Sequence, residues 1–258
     1  MDDIIVLKCG GSILAELTDS FFTSIKELQN QGFKVIVVHG GGPEIGDMLK
    51  SLEIPSEFVN GLRKTTSDVL NIVEMILSGS VNKQLVSKLT SHGLNALGLS
   101  GIDGKLITAG PIDKDNLGFV GEVTYVNSQL LTQLIEMDFL PVISPLGADQ
   151  EGQKYNINAD TAAASIASAL HAKHLLFVTN VPGILKEGEV LDVVSTTQVK
   201  DLISDGTIYG GMIPKVNAAL SALSAELSEV MIVNGKDSIV TLDGKLAGTK
   251  LIKELEAI

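Results

Sequence analysis

Short aliphatic runs alternate along the chain with longer stretches that have the apolar spacing of amphipathic helices. Most of the runs lack the polar alternation of a half-exposed strand, so we expect both of their faces to be buried. Buried strands that alternate with helices form a mostly parallel sheet with helices on both sides. The predicted strands are Ile4–Leu7, Val35–Val38, Ala96–Leu99, Leu140–Ile143, Leu175–Val178 and Val230–Val233.

Seven helices are predicted between and after these strands. Ser195 followed by Gln198 has the form of a capping box, which marks the start of one of them. The segment 101–126 departs from the alternation, because its two β-like pieces, Leu106–Ala109 and Phe119–Tyr125, predict hairpins beside the main sheet. The predicted helices are Phe21–Gln31, Glu44–Leu52, Ser67–Leu89, Ser128–Met137, Ala159–Leu170, Thr196–Ser204 and Met212–Leu227.

Composition narrows the class of protein. The 258 residues are 45% hydrophobic but only 4% aromatic, so an aliphatic core of one large α/β domain is expected. No apolar stretch is close to membrane-spanning length, and the start of the sequence lacks the basic region of a secretory signal. Cys9 is the only cysteine, so the chain cannot contain an internal disulfide. A net charge of −12 argues against a nucleic-acid partner. We expect a cytoplasmic protein with no membrane segment.

Two glycine-rich segments follow the first two predicted strands. Lys8–Ser12 (K-C-G-G-S) places a lysine at the end of a buried strand, where lysine is rare unless it is paired. His39–Pro43 (H-G-G-G-P) stands before a helix, where backbone amides and the helix dipole favour an anion. A tight turn with a lysine reaching solvent explains the first segment equally well. We interpret His39 as a structural hydrogen-bonding residue.

Three further segments carry polar groups next to turns or helix starts. Asn60–Thr65 contains Arg63, which can grip a carboxylate with two hydrogen bonds or be a solvated surface residue. Asn156–Asp160 precedes a helix and can be capping chemistry, above all at its middle asparagine. Gly210–Lys215 opens a helix with a lysine at the positive end of the dipole, which favours an arriving anion over simple solvation.

Several common designs are absent from the sequence. No Gly-Lys pair is followed by Ser or Thr, so there is no Walker A loop, and there is neither a G-x-G-x-x-G fingerprint nor the protein-kinase set. The H-G-G-G segment also occurs in esterases, but these need a G-x-S-x-G elbow, which this chain lacks. Any phosphate chemistry must therefore use another arrangement of lysines and glycines.

Taken together and in order, the motifs resemble the amino-acid kinase family. The N-G-x-R-x-T segment Asn60–Thr65 resembles the branch that phosphorylates N-acetylglutamate, and Gly79–Lys83 and Gly98–Gly104 extend the match over almost the whole chain. The resemblance implies an α/β fold: a three-layer α/β/α sandwich with a central, mainly parallel eight-stranded sheet. It further implies an acceptor-binding N-lobe (1–173), a nucleotide-binding C-lobe (174–258) and a homodimer.

The resemblance also implies roles for particular residues. Lys8 and Lys215 would stabilise the transferring phosphoryl group, Asp160 would hold both lysines, and the Gly11 amide would donate a hydrogen bond near the reacting centre. The implied acceptor-binding residues are Gly41, Gly42, Arg63 and Asn156. The implied nucleotide-binding residues are Gly10, Asn180, Val181, Gly183, Leu185, Thr207, Ile208 and Tyr209. Asn180 stands where the family commonly carries aspartate.

The reaction implied by the resemblance is phosphoryl transfer from ATP to the γ-carboxylate of N-acetyl-L-glutamate, an early step of arginine biosynthesis. Mg²⁺ would be held mainly by the phosphates, with no metal ligand expected from the protein. Two alternatives stay open: a sister kinase for another acyl-amino acid, such as carrier-linked aminoadipate, and a nucleotide-binding protein without activity. The joint presence of Lys8, Asp160 and Lys215 argues against the second.

Overall fold

The computed structural model describes residues 3–224, 227 and 229–253. All six predicted strands are confirmed, and each observed strand is one or two residues longer. The strands are β1 (Ile4–Cys9), β2 (Lys34–His39), β3 (Phe58–Val59), β4 (Leu62–Arg63), β5 (Ala96–Ser100), β6 (Ile107–Pro111), β7 (Val120–Val126), β8 (Leu140–Ser144), β9 (Leu146–Ala148), β10 (Lys154–Ile157), β11 (His174–Thr179), β12 (Leu185–Lys186), β13 (Glu189–Val190), β14 (Val193–Ser195), β15 (Glu229–Asn234) and β16 (Thr249–Ile252).

All seven predicted helices are also present. The last ends at Ala222, five residues early, because the backbone turns extended at Leu223, and the capping box of Ser195 and Gln198 is confirmed. The helices are α1 (Gly11–Leu14), α2 (Asp19–Asn30), α3 (Gly42–Ser51), α4 (Ser67–Glu74), α5 (Asn82–Ser91), α6 (Lys114–Leu117), α7 (Ser128–Glu136), α8 (Ala159–Ala169), α9 (Thr196–Ser204) and α10 (Met212–Ala222). A π-helical segment, Met75–Val81, joins α4 to α5, and Asp103–Lys105 forms a 3₁₀ turn.

The central sheet has eight strands in the order β14-β16-β15-β11-β1-β2-β8-β5. Neighbours run parallel except β15 and β16, which are antiparallel, so the predicted mainly parallel sheet is confirmed. Alternate residues of the strands face opposite sides, as the two-residue period of a strand requires. Ile5 and Leu7 pack with α2, whereas Val6 packs on the side of α8. The molecule is therefore the expected three-layer sandwich.

A small barrel lies beside the main sheet. The predicted hairpin is confirmed as the antiparallel pair β6 and β7, but these strands close with β9 and β10 into a four-stranded barrel that the sequence did not predict. The barrel places the end of β10 directly before α8 and next to the ends of the main strands. Within the described part of the chain, no helix has the length and apolar character needed to cross a membrane.

Candidate active site

A cleft of about 340 Å³ lies where β1 and β2 end, beside the N-terminus of α8 and under the hairpin of β3 and β4. Ligands of open α/β sheets bind at this carboxyl edge of the strands. The cleft brings together every residue predicted for catalysis or acceptor binding except Lys215. Those that line it are Lys8, Gly11, Gly41, Gly42, Arg63, Asn156 and Asp160.

Two glycine loops approach each other closely at the floor of the cleft. A β carbon at Gly11 would lie 2.8 Å from the Gly42 nitrogen and 2.9 Å from the Gly41 nitrogen, closer than β carbons approach other atoms. Only glycine therefore lets the loop after β1 touch the loop after β2. The amide of Gly42 also belongs to the first turn of α3, where the helix dipole is positive. The floor is thus lined by backbone amides that favour an anion.

Lys8 and Asp160 form an ion pair above this floor. Their Nζ and Oδ1 atoms are 2.7 Å apart, and the lysine side chain is 15% exposed. Asp160 is fixed by the cap of α8, because the Asn158 side chain accepts hydrogen bonds from the Asp160 and Thr161 amides at 2.8 and 3.2 Å. The capping interpretation of Asn158 is confirmed. A largely covered lysine held by a carboxylate supplies a fixed positive charge next to the glycine amides.

Lys215 takes a different partner from the one expected. Its Nζ donates to Asn180 Oδ1 at 2.5 Å, and among the described residues Asp160 forms an ion pair with Lys8 alone. The expectation that Asp160 holds both lysines is therefore wrong for this conformation, since the Lys215 side chain reaches the loop after β11 instead. A second cavity, of about 190 Å³, is lined by Lys8, Asp160 and Lys215. Burial lowers the pKa of Lys215.

Arg63 is the only arginine in the chain. Its guanidinium donates to Gly42 O at 3.0 Å and to Ser56 Oγ, and it lies 4.6 Å from the centre of the Phe58 ring. Burial lowers the pKa of Arg63, but arginine stays protonated in proteins. Two of its N–H groups are used by these contacts, so others remain for a carboxylate. Sequence reasoning missed Ser56 and Phe58, which hold the guanidinium in place.

Asn156 and Arg63 are tied together by Thr65, which is fully buried. The Asn156 Nδ2 donates to Thr65 Oγ1 at 3.1 Å, and the Thr65 hydroxyl donates to Arg63 O at 2.7 Å. This residue is the threonine of the N-G-x-R-x-T segment, to which sequence analysis gave no role. The buried hydroxyl of Thr65 therefore fixes Asn156 relative to Arg63 at one side of the cleft.

The residues predicted to bind the nucleotide are not gathered in one cleft, as the residues predicted to bind the acceptor are. Asn180 contacts Lys215, but Ile208 is buried in the core, and Tyr209 is 75% exposed. Gly183 packs against β16, where a β carbon would lie 2.4 Å from Thr249 Oγ1. Nucleotide contacts therefore stay predictions. They concern Gly10, Asn180, Val181, Gly183, Leu185, Thr207, Ile208 and Tyr209.

The arrangement is suited to the handling of negatively charged oxygens. Lys8 and the amides around Gly11 face the cleft, with the single arginine at its edge, and Lys215 lines the second cavity, which also includes Lys8. Preorganised donors of this kind stabilise charge that develops during phosphoryl or acyl transfer. A sequence profile described as the amino acid kinase family matches residues 3–234, and the chain belongs to that family.

Three known proteins show to different degrees what this chain is similar to in sequence and in structure. A curated acetylglutamate kinase from Geobacillus stearothermophilus is 58% identical over 255 residues, which cover 99% of this chain and 98% of the relative. The crystal structure of smu.665 from Streptococcus mutans UA159 is 35% identical with a TM-score of 0.83, and the match covers 98% of this chain and 99% of that one. Carbamate kinase from Giardia lamblia bound to AMP-PNP, at 17% identity, shares the fold with a TM-score of 0.68 over 98% and 99% of the two chains.

Proposed function

We propose that this chain transfers the γ-phosphoryl group of ATP to the γ-carboxylate of N-acetyl-L-glutamate, forming N-acetylglutamyl 5-phosphate in an early step of arginine biosynthesis. The observation that carries the proposal is the cleft in which the Lys8–Asp160 pair, the glycine amides and Arg63 face one space. The acceptor is supported by a full-length relative, 58% identical, that bears the name acetylglutamate kinase.

The chemistry needs no general base, because the acceptor carboxylate is already ionised at neutral pH. The protein has to bring two anions together and stabilise the charge that spreads over the phosphoryl oxygens. In our proposal, Lys8 and the amides of Gly11 and Gly41 do this from the acceptor side, and Lys215 does so from the nucleotide side. Asp160 keeps Lys8 in place through their ion pair.

The nucleotide is the less defined half of the proposal. The family implies ATP, and Mg²⁺ bound to its phosphates would neutralise part of their charge. No group of three or more His, Cys, Asp and Glu side chains is placed to hold a metal within residues 3–224, 227 and 229–253. We assign the acceptor to a lobe of residues 1–173 and the nucleotide to 174–258. A homodimer stays a prediction, which sedimentation equilibrium would check.

The direct test is an assay of acyl phosphate, trapped as hydroxamate, with ATP, Mg²⁺ and one acceptor at a time. Hydroxamate from N-acetyl-L-glutamate, and none from glutamate, would support the proposal. Hydroxamate only from an N-acylated aminoadipate would assign the sister acceptor. No product from any acceptor, while ATP still binds, would contradict a kinase activity.

The role of Arg63 has its own test, because phenylglyoxal can modify no other arginine in this chain. We expect modification to abolish activity and N-acetyl-L-glutamate to protect against it. Arg63→Lys should raise the KM for the acceptor about 10- to 100-fold, since a bidentate hydrogen bond to a charged group is lost. The KM for ATP serves as the internal control. An unchanged acceptor KM would contradict the assignment.

A further inference from the structure

A buried polar network lies beneath the glycine loop that follows β2. His39, the last residue of β2, and Asn82, the first residue of α5, are both fully buried. His39 Nδ1 lies 2.9 Å from Gly40 O, and His39 Nε2 lies 3.1 Å from Asn82 Nδ2. Buried polar groups are costly unless they are paired, so this network needs a reason to exist in an otherwise aliphatic core.

The orientation of the Asn82 amide follows from its other partners. Its Nδ2 faces the carbonyl oxygens of Leu99 and Val142 at 3.3 and 2.9 Å, and its Oδ1 accepts from Lys83 Nζ at 2.9 Å. A flipped amide would set an oxygen against two carbonyl oxygens and a nitrogen against an ammonium group. The amide nitrogen therefore donates towards His39.

This orientation fixes the tautomer of His39. Because Nε2 accepts a hydrogen bond from Asn82, the proton of the neutral ring is on Nδ1, where it donates to Gly40 O. Burial lowers the pKa of His39 to about 4, so the ring is neutral at physiological pH. Asn82 thus keeps the proton of the ring on Nδ1, the nitrogen that faces the glycine loop.

The carbonyl that His39 holds belongs to the same peptide unit as the amide of Gly41. A trans peptide is planar, and its C=O and N–H groups point in opposite directions. When the Gly40 carbonyl is drawn towards His39, the Gly41 amide points away from the core and towards the loop of Gly11. The Gly41 nitrogen is indeed one of the atoms that crowd the Gly11 position.

We propose that His39 and Asn82 are positioning residues that orient the Gly40–Gly41 peptide, so that its amide donates to the oxygens of the reacting centre; this inference rests on the proposed function. It also explains two segments that the acceptor and nucleotide roles left unused. Asn82 lies in Gly79–Lys83, and Gly98 leaves room for it, because a β carbon there would lie 2.0 Å from Asn82 Oδ1.

Two substitutions at one position separate the two hydrogen bonds of the ring. In His39→Asn, the amide nitrogen is bonded to Cγ, as Nδ1 is, and can still donate to Gly40 O. In His39→Gln, the amide is one carbon further out and can reach Asn82 but not Gly40. We expect His39→Gln to lower kcat about tenfold or more, with His39→Asn within about threefold of the wild type and both KM values little changed.

Measurements of stability and of one NMR resonance distinguish a positioning role of His39 from a purely structural role. A purely structural role predicts that the two variants lose kcat equally, in proportion to their loss in unfolding free energy, and that result would overturn the proposal. The amide resonance of Gly41 in a ¹⁵N–¹H spectrum should move in His39→Gln and in Gly98→Ala, and stay near its wild-type position in His39→Asn. If the wild type makes no acyl phosphate, the proposed function fails, and this resonance still decides the positioning role. An unmoved resonance in His39→Gln would refute it.

Discussion

The two sides of the candidate active site are built differently. On the side that we propose for the acceptor, three of the groups that hold the site in place, His39, Thr65 and Asn82, are fully buried, and the glycine loops leave no room for a β carbon at Gly11. On the side that we propose for the nucleotide, Lys215 makes one side-chain hydrogen bond within the described part of the chain, to the exposed Asn180. Lys8 and Asp160 line both cavities and connect the two sides.

This difference indicates where the site is preorganised. Donors fixed by packing cost no reorganisation when charge develops, so the acceptor side can act in the geometry seen here. A lysine on a flexible stem with a neutral partner can move to whichever anion arrives. We therefore expect substitutions on the acceptor side to change the chemical step, and those at Asn180 to have smaller effects.

The largest effect is expected from the lysines. Lys8→Ala and Lys215→Ala should each lower kcat about 10²- to 10³-fold, the loss typical of removing one donor to a developing anion, while acceptor KM changes far less. Lys173→Ala is the matched control, because Lys173 pairs with Asp3 at 2.6 Å through a half-exposed side chain outside the cleft. Steady-state kinetics give the answer. Unchanged kcat in both variants would remove the lysines from the chemistry.

The next prediction tests the contact between the glycine loops. Gly11→Ala should lower the free energy of unfolding by about 1–3 kcal/mol, because its β carbon would overlap the Gly42 nitrogen, and should also reduce kcat as the loops separate. Gly79→Ala, at a helical position with open space around it, should be neutral or slightly stabilising. Denaturant unfolding measures the free energy of unfolding of both variants. Equal stabilities would mean that the two glycine loops pack less closely than the structure shows.

Protonation of His39 gives a pH test of the same side. Its pKa of about 4 lies below the unfolded value of 6.5, so the unfolded chain binds more protons between these values, and the stability that depends on neutral His39 is lost as the pH falls from about 6.5 towards 4. From pH 7.5 to 5, the wild type should lose about 2 kcal/mol more than His39→Asn. Urea unfolding at both pH values measures this. Equal losses would contradict a buried neutral ring.

The smallest effect is expected on the nucleotide side. Asn180→Ala removes one exposed hydrogen bond to Lys215, which typically contributes about 0.5–1.5 kcal/mol, and should change kcat or the KM for ATP by less than about tenfold. The acceptor KM is the control within the same assay. A loss as large as that of Lys215→Ala would show that the nucleotide side is as rigidly organised as the acceptor side.

The sequence predicted the parts of the fold that are decided locally. Buried aliphatic runs identified the six central strands, since such runs have few alternatives to a parallel sheet. The two strands of the central sheet that were missed, β14 and β16, are three and four residues long. β16 runs antiparallel to its neighbour β15, whereas the other neighbouring pairs of this sheet are parallel. Strands this short are defined by their partners, which lie far along the chain.

The site was predictable as a set of residues but not as a set of contacts. Lys8, Gly11, Arg63 and the others line one cleft, as the motifs indicated. The partner of Lys215 was not predictable. A long lysine side chain can reach several polar groups, and only the folded loops decide which of them lies within hydrogen-bond distance. Thr65 was missed for a related reason: a threonine beside Arg63 looks like a surface residue until its burial against Asn156 is known.

The π-helical segment between α4 and α5 has a consequence for where the protein can lose a single residue. A wider turn of this kind corresponds to one residue inserted into an α-helix. Loss of a single codon within Met75–Val81 would remove this extra residue and let the helix continue as a regular α-helix, while the residues after it keep the direction in which they face. Asn82, the residue immediately after the segment, would then still face His39. A single in-frame deletion should therefore be tolerated better here than within α4, where it would rotate everything after it by about 100°.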